Sequence, residues 1–491
     1  MAAHFAESIP DRLLMWQRVR EYAVPPSMIE MATARRATGD WAGACAVARI
    51  DVDLDLRAVR VRHGTDLVAR LRDDLRRLVP DLLRWHMPRI APDGRLRPGL
   101  TLSLARYGGP GAPGPQLVVR TPPAWADAGQ RMSLALWEEC RGDVPRHHPH
   151  PHPDRHFRLD LHRHLWDGTR SAELARRCGV DAPDGPVGHD VAWPPDRWAA
   201  EAELLLRAEG RSRGALTVRL GARSRAVLEL VAPDDSHVPV LRPVREVLSP
   251  QQIAELPVLP EAAARALPDL ELVRAGLFRA ERLHPLVAAA LSTSGHAGPS
   301  GSSPPDRSAA GAQRWGPGPD FVRDAGLDGG SADPHRVECL GEVHRIALRD
   351  GVLAAVDHDP AQLAREGLLM ALGGPGLPCL RAIDAVHRSP EALPAVRERL
   401  GHGDVTGALA VVEGLLGPGA VLREGPLRDA LEGAVAGRLG HGLFRSGLVP
   451  VHPAADVTGD DGYRPRLDRR LPQELHRKRG SRTRPRTGLH G

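Results

Sequence analysis

The run LTLSLARY (100–107) alternates apolar and polar side chains, and QLVVR (116–120) and RMSLALW (131–137) repeat the pattern after Gly- and Pro-rich connections. A period of two sends successive side chains to opposite faces of a strand, so the three runs predict an antiparallel meander. FRLDLHRHLW (157–166) has the same alternation and reads as a further strand. Upstream the period changes. Val68, Leu71, Leu75 and Leu78 recur at three- and four-residue spacing with Asp and Arg between them, the stripe of an amphipathic helix. A helical start followed by antiparallel sheet defines an α+β class rather than a parallel α/β one.

Farther along, a helix is expected from about Pro195 to Ala208, then a hairpin from ALTVRL (215–220) and RAVLELV (225–231). Ser249, Pro250 and Gln252 form a capping-box signature at the start of another helix. Residues 292–334 are dominated by Ser, Gly, Pro and Ala in their first half and read as a disordered linker. Beyond it, EVHRIAL and VLAAV flank Asp350-Gly351, a dipeptide suited to a tight hairpin. Asp359 followed by Pro360 marks a helix start, Gly373-Gly374 its end, and further helices are expected from about 376, 390, 404 and 423. The expected organisation is a helical unit (1–92), an α+β domain (93–291), the linker (292–334), a smaller hairpin-plus-helices domain (335–455) and a basic disordered tail (456–491).

With 491 residues, 42% apolar and 26% charged, the chain has the balance of a multidomain globular protein. Of 66 basic residues only Lys478 is a lysine, and asparagine is absent, a bias that lowers the weight of arginine as a phosphate signal. Ten basic and three acidic residues lie in 461–491, so the high charge belongs to the tail. No apolar run approaches the length of a membrane span and the N-terminus has no secretory pattern, so a cytoplasmic protein with no membrane partner is expected. Cys45, Cys140, Cys178, Cys339 and Cys379 are far apart and never form CxxC, which argues against a disulfide framework and against a cysteine zinc site.

Chemistry has one address in this pattern. Seven of the 23 histidines fall between His147 and His164. Asp160, His162 and His164 alternate, so a strand would project all three from one face, and two imidazoles so placed suit Zn²⁺. The string Asp160-Leu161-His162-Arg163-His164 resembles the D-x-H-x-H of the first strand in amidohydrolase barrels. That resemblance implies a zinc-dependent hydrolase, whereas eight β/α units and a bridging lysine are not visible here. The pairs GDWAGACAVA (39–48) and GDVTGALAVV (403–412) resemble the helix–turn–helix of tetratricopeptide hairpins. The same residues also follow from Gly at a helix end, Asp at the next cap and Ala where helices touch. Asp51, Asp53 and Asp55 alternate as an acidic strand face or helix start and fail the calcium-loop pattern at Leu56 and Arg62.

No phosphate loop, GxSxG elbow or cysteine nucleophile pattern is present. The leading expectation is therefore a non-catalytic interaction or adaptor protein with a protein partner. The second is zinc hydrolysis at His162 and His164 with Asp160, and the third is nonspecific nucleic-acid binding through the tail.

Overall fold

The computed structural model describes residues 10–139, 152–178, 195–221, 224–231, 239–292, 336–339, 341–349, 352–372, 374, 376–388, 392–416 and 421–447. It is an α+β protein of two compact units. One takes in Met1–His296, Arg397–Gly407 and Glu432–Gly491, the other Ala297–Val396 and Ala408–Leu431. None of the described helices is long and apolar enough to cross a membrane.

The expected meander forms: Thr101–Arg106, Gln116–Arg120 and Met132–Trp137 pair antiparallel in sequence order. A fourth strand joins from the N-terminal region. Ile50–Asp53 runs parallel to Met132–Trp137, with Ile50 opposite Met132, and completes a four-stranded sheet. The alternating aspartates thus serve as strand and helix start at once. Asp51 is paired with Arg131 and Asp53 with Arg445, while Asp55 caps helix Leu56–Arg77 by accepting from the Arg57 and Ala58 amides. The larger apolar core runs from Leu13 through Leu71, Leu102 and Leu134 to Ala290. A smaller core joins helix Pro195–Ala208, through Trp198 and Leu206, to the predicted hairpin Gly214–Arg219 and Arg225–Val231.

The segment 157–166 departs from expectation. It is a chain of turns ending in the 3-10 segment Arg163–Leu165, joined to the sheet by a bridge between Arg158 and Ser103 and by the Asp160 amide, which donates to the Ser103 carbonyl at 2.9 Å. The amides of Leu161, His162 and Leu165 bond back to the carbonyls of Arg158, Leu159 and His162, closing successive turns in place of an extended ladder. The strand Thr101–Arg106 is buried on both faces from Thr101 to Ala105, so its polar alternation does not mark a wet face.

In the second unit Arg336–Cys339, Glu342–Arg349 and Val352–Ala355 make an antiparallel sheet in sequence order. Asp350 and Gly351, the expected turn, lie outside the described residues. Asp359 caps Pro360–Ala371 through the Ala361 amide, and the Gly374 amide returns to the Leu369 carbonyl at 2.9 Å. Helices Pro378–Arg388, Leu393–Gly401, Val405–Leu416 and Pro426–Arg445 follow close to the predicted starts. The expected linker core (293–334) and the tail (456–491) lie outside the described residues.

Candidate metal centre

Strand periodicity builds the first half of the site. On Glu342–Arg349 the residues Val343 and Arg345 are exposed while His344 and Ile346 are buried. His344 stands opposite Val337 on the neighbouring strand, which ends at the buried Cys339. The second half comes from turns and a helix start. His358 lies between Val352–Ala355 and the Asp359 cap. Asp357 beside it accepts from the Arg345 amide and guanidinium, both at 2.8 Å, which ties this turn to the strand that carries His344. Cys379 follows Pro378 at the head of Pro378–Arg388, where the helix dipole favours a thiolate.

The sulfurs of Cys339 and Cys379 and a ring nitrogen of His358 all lie within 4.8 Å of one another, and all three residues are buried. A tetrahedral zinc ion with bonds of about 2.0–2.3 Å separates its ligand atoms by roughly 3.3–3.8 Å, so a small inward adjustment converts this cluster into a coordination shell. His344 lies beside His358, outside the group of three. Its ring centroid is 4.0 Å from that of His358, and its Nδ1, like His358 Nε2, is buried without a hydrogen-bond partner. Buried polar atoms left unpaired are costly, and a cation would satisfy both. Burial, reinforced by the adjacent Cys339, holds the Cys379 thiol up at about 11, so its proton would have to leave as a cation enters. Thiolate and imidazole together form a donor set that suits zinc.

The expectation that the cysteines form no zinc site meets here a Cys-His-Cys group that could hold a metal ion. Its three residues and His344 come from two strands, a turn and a helix, so no short spacing announces them. The only sequence signal is that Cys339, His344, His358 and Cys379 fall in a single region with predicted hairpin and helix starts.

The residues singled out from sequence are brought together differently. His162 and His164 are buried with ring centroids 5.6 Å apart. Arg177 lies between them, donating to His164 Nδ1 at 3.3 Å and His162 Nδ1 at 3.2 Å, and it is itself held by Glu201 at 2.6 and 2.9 Å. Each Nδ1 accepts, so a neutral ring carries its proton on Nε2 and offers no free lone pair there. Burial, and then neighbouring cationic or imidazole groups including Arg177, hold both imidazoles well below their usual range. Asp160 is turned away onto Arg158, with two contacts of 2.8 Å. His189, Asp190 and His237, which could have joined the pair, lie outside the described residues, as do His147, His148 and His150.

The two Gly-Asp turns are realised alike. Gly39 and Gly403 both have positive φ, and Asp40 and Asp404 accept from the amides of Gly43 and Gly407 at 2.8 and 3.1 Å. His402 donates from Nδ1 to the Glu398 carbonyl, and His441 contacts the Ala126 carbonyl through Nδ1. No protein-family model, curated protein or solved structure matches the chain.

Proposed function

We propose that this chain is a zinc-binding protein whose second unit is ordered around a structural ion held by Cys339, His358 and Cys379, with His344 closing the fourth position. The observation that carries the reading is the convergence of three buried donors from separate elements within 4.8 Å. Burial favours a closed structural site over a catalytic one, because a catalytic ion keeps a position open to water and substrate. Such a clamp would add to the burial of apolar residues in this unit that include Ile346, Leu353, Leu377, Ile383, Leu393, Val396, Val412, Leu416 and Leu427. The test is metal analysis of untagged protein together with the absorption spectrum of the cobalt-substituted form. About one zinc per chain and a tetrahedral thiolate spectrum are expected, both lost in Cys379→Ser and His358→Ala. Protein that remains metal-free in zinc-containing buffer refutes the reading.

Around that ion we read a non-catalytic role in protein interaction. Helix Pro360–Ala371 buries none of its residues, and Leu368 and Leu372 are 64% and 78% exposed. Apolar side chains grouped on an uncovered helix are the usual mark of a protein-binding face. A photo-crosslinker at position 372 should capture a protein partner, and Leu368→Glu should abolish the product without altering zinc content. Crosslinking that survives Leu368→Glu counts against this role.

A further inference from the structure

The first unit contains a cavity of about 390 Å³ between the N-terminal helix Asp11–Arg18, the turns around His156–Leu159 and the approach to helix Pro268–Arg274. Its size is that of a small-ligand pocket. The body of the wall is apolar: Met15, Trp16, Phe157, Leu159, Leu165 and Leu267. Its rim is cationic, and the state of each cation decides what the cavity accepts.

Four of the lining guanidinium groups are already neutralised. Arg12 is paired with Glu271, Arg20 with Asp269, Arg158 with Asp160 and Glu209, and Arg265 with Glu261. Arg89 is buried and turned onto the carbonyls of Arg84 and Gly94. His86 adds no charge, since its Nδ1 is held by the Leu82 and Leu165 carbonyls and burial lowers its pKa to about 4. Arg97 differs from all of these. Among the described residues its guanidinium makes no hydrogen bond or ion pair; it lies 5.8 Å over the Phe157 ring, and Asp154 acts on it only through space.

We infer that this cavity binds a small aromatic or alicyclic carboxylic acid, its apolar body among Trp16, Phe157 and Leu267 and its carboxylate on Arg97. One unpaired guanidinium over an apolar wall matches a monoanion. A dianionic phosphate would need a second cation, and Arg89, the other lining guanidinium without a carboxylate partner, is buried and turned onto the carbonyls of Arg84 and Gly94; a neutral ligand would leave Arg97 without a partner. Arginine and carboxylate meet through paired N–H donors, a geometry that fixes orientation as well as affinity.

The experiment uses the full chain and two fluorescent probes with the same aromatic frame, anilinonaphthalene sulfonate and its neutral counterpart phenylnaphthylamine. The anionic probe should bind at one site per chain, and naphthoate should displace it more strongly than naphthyl phosphate. Arg97→Gln should weaken the anionic probe about tenfold and leave the neutral one unchanged, the loss expected for one charge-assisted contact. Ala266→Trp, which fills the wall, should weaken both, with an unchanged melting curve showing that the fold is intact. Should that variant melt early, Arg97→Gln alone decides. Equal affinity of the anionic probe for wild type and Arg97→Gln, or tighter displacement by the phosphate than by the carboxylate, overturns the inference.

Discussion

Removing the charge of Asp269 should unfold the first unit more readily than any surface substitution. Its carboxylate is fully buried and accepts from Arg20 Nε at 2.8 Å, Arg20 Nη2 at 2.7 Å and Trp85 Nε1 at 3.0 Å. Arg20 is equally buried, lies 4.3 Å over the Trp85 ring and also donates to the Trp85 carbonyl at 2.6 Å. In Asp269→Asn the guanidinium stays in place with its counter-charge gone. Breaking one partner of a buried pair costs about 3–5 kcal/mol, most of it the uncompensated charge. With a urea slope of about 3 kcal/mol per molar, a loss of about 4 kcal/mol moves the midpoint down by about 1.3 M. Tryptophan fluorescence is the proper signal, because eight of the nine tryptophans fall in this unit's range and only Trp315 in the other's. The double variant Arg20→Met/Asp269→Leu removes both charges and should recover at least half of the loss. A single variant that shifts the midpoint by less than about 0.3 M would refute the reasoning, since the pair would then be solvated in solution.

Three further outcomes follow from the same geometry. Gly39→Ala and Gly403→Ala should separate: both have positive φ, but a Cβ at 39 meets open space, whereas at 403 it collides with the Gly129 carbonyl oxygen. Urea titration should show a loss of about 1 kcal/mol for the first and clearly more for the second. Burial lowers the pKa of His86 and of His402 to about 4 from an ordinary 6.5. Between those values the unfolded chain takes up protons that the native rings refuse. Their contribution to stability is therefore complete above pH 6.5 and drains away as pH falls toward 4, which urea midpoints across that window should track. Chelation should lower the melting transition of the second unit and leave the tryptophan-reported transition of the first in place. A single transition shifted as a whole is the contrary result in scanning calorimetry.

What the sequence disclosed depends on how local the cause was. The hairpins, the Ser249–Gln252 capping box and the Asp359 cap are set by residues within a few positions of one another, and all are present. Ile50–Asp53 is not legible as a strand of the main sheet because its partner is Met132–Trp137, some eighty residues away, and its aspartates owe their place to Arg131 and Arg445. The alternation in 157–166 is the opposite case, a local pattern overruled by successive turns that bond Leu161, His162 and Leu165 back to Arg158, Leu159 and His162, and by Arg177 reaching in from a later helix. The proposed metal ligands are illegible for a third reason. Register and helix docking, rather than spacing, bring Cys339, His358 and Cys379 together.

Arg84 closes a circle in the chain. Fully buried, it donates to the carbonyls of Ala23 (3.0 Å), Gln130 (2.6 Å), Ala48 (3.5 Å) and His402 (3.4 Å), so residues from opposite ends of the sequence are stitched to one side chain. Arg49 adds a 2.7 Å bond to the same His402 carbonyl, and Arg445 holds Asp53. The polypeptide therefore leaves the first unit, returns to it at Arg397–Gly407, leaves again and returns at Glu432. A truncation ending at His296 would not release an intact domain: it would strip Arg84 of an acceptor and Asp53 of its counter-ion. A protease cut between 297 and 396 would give two fragments that stay together until a denaturant is added, and any attempt to isolate the first unit must keep both returning segments.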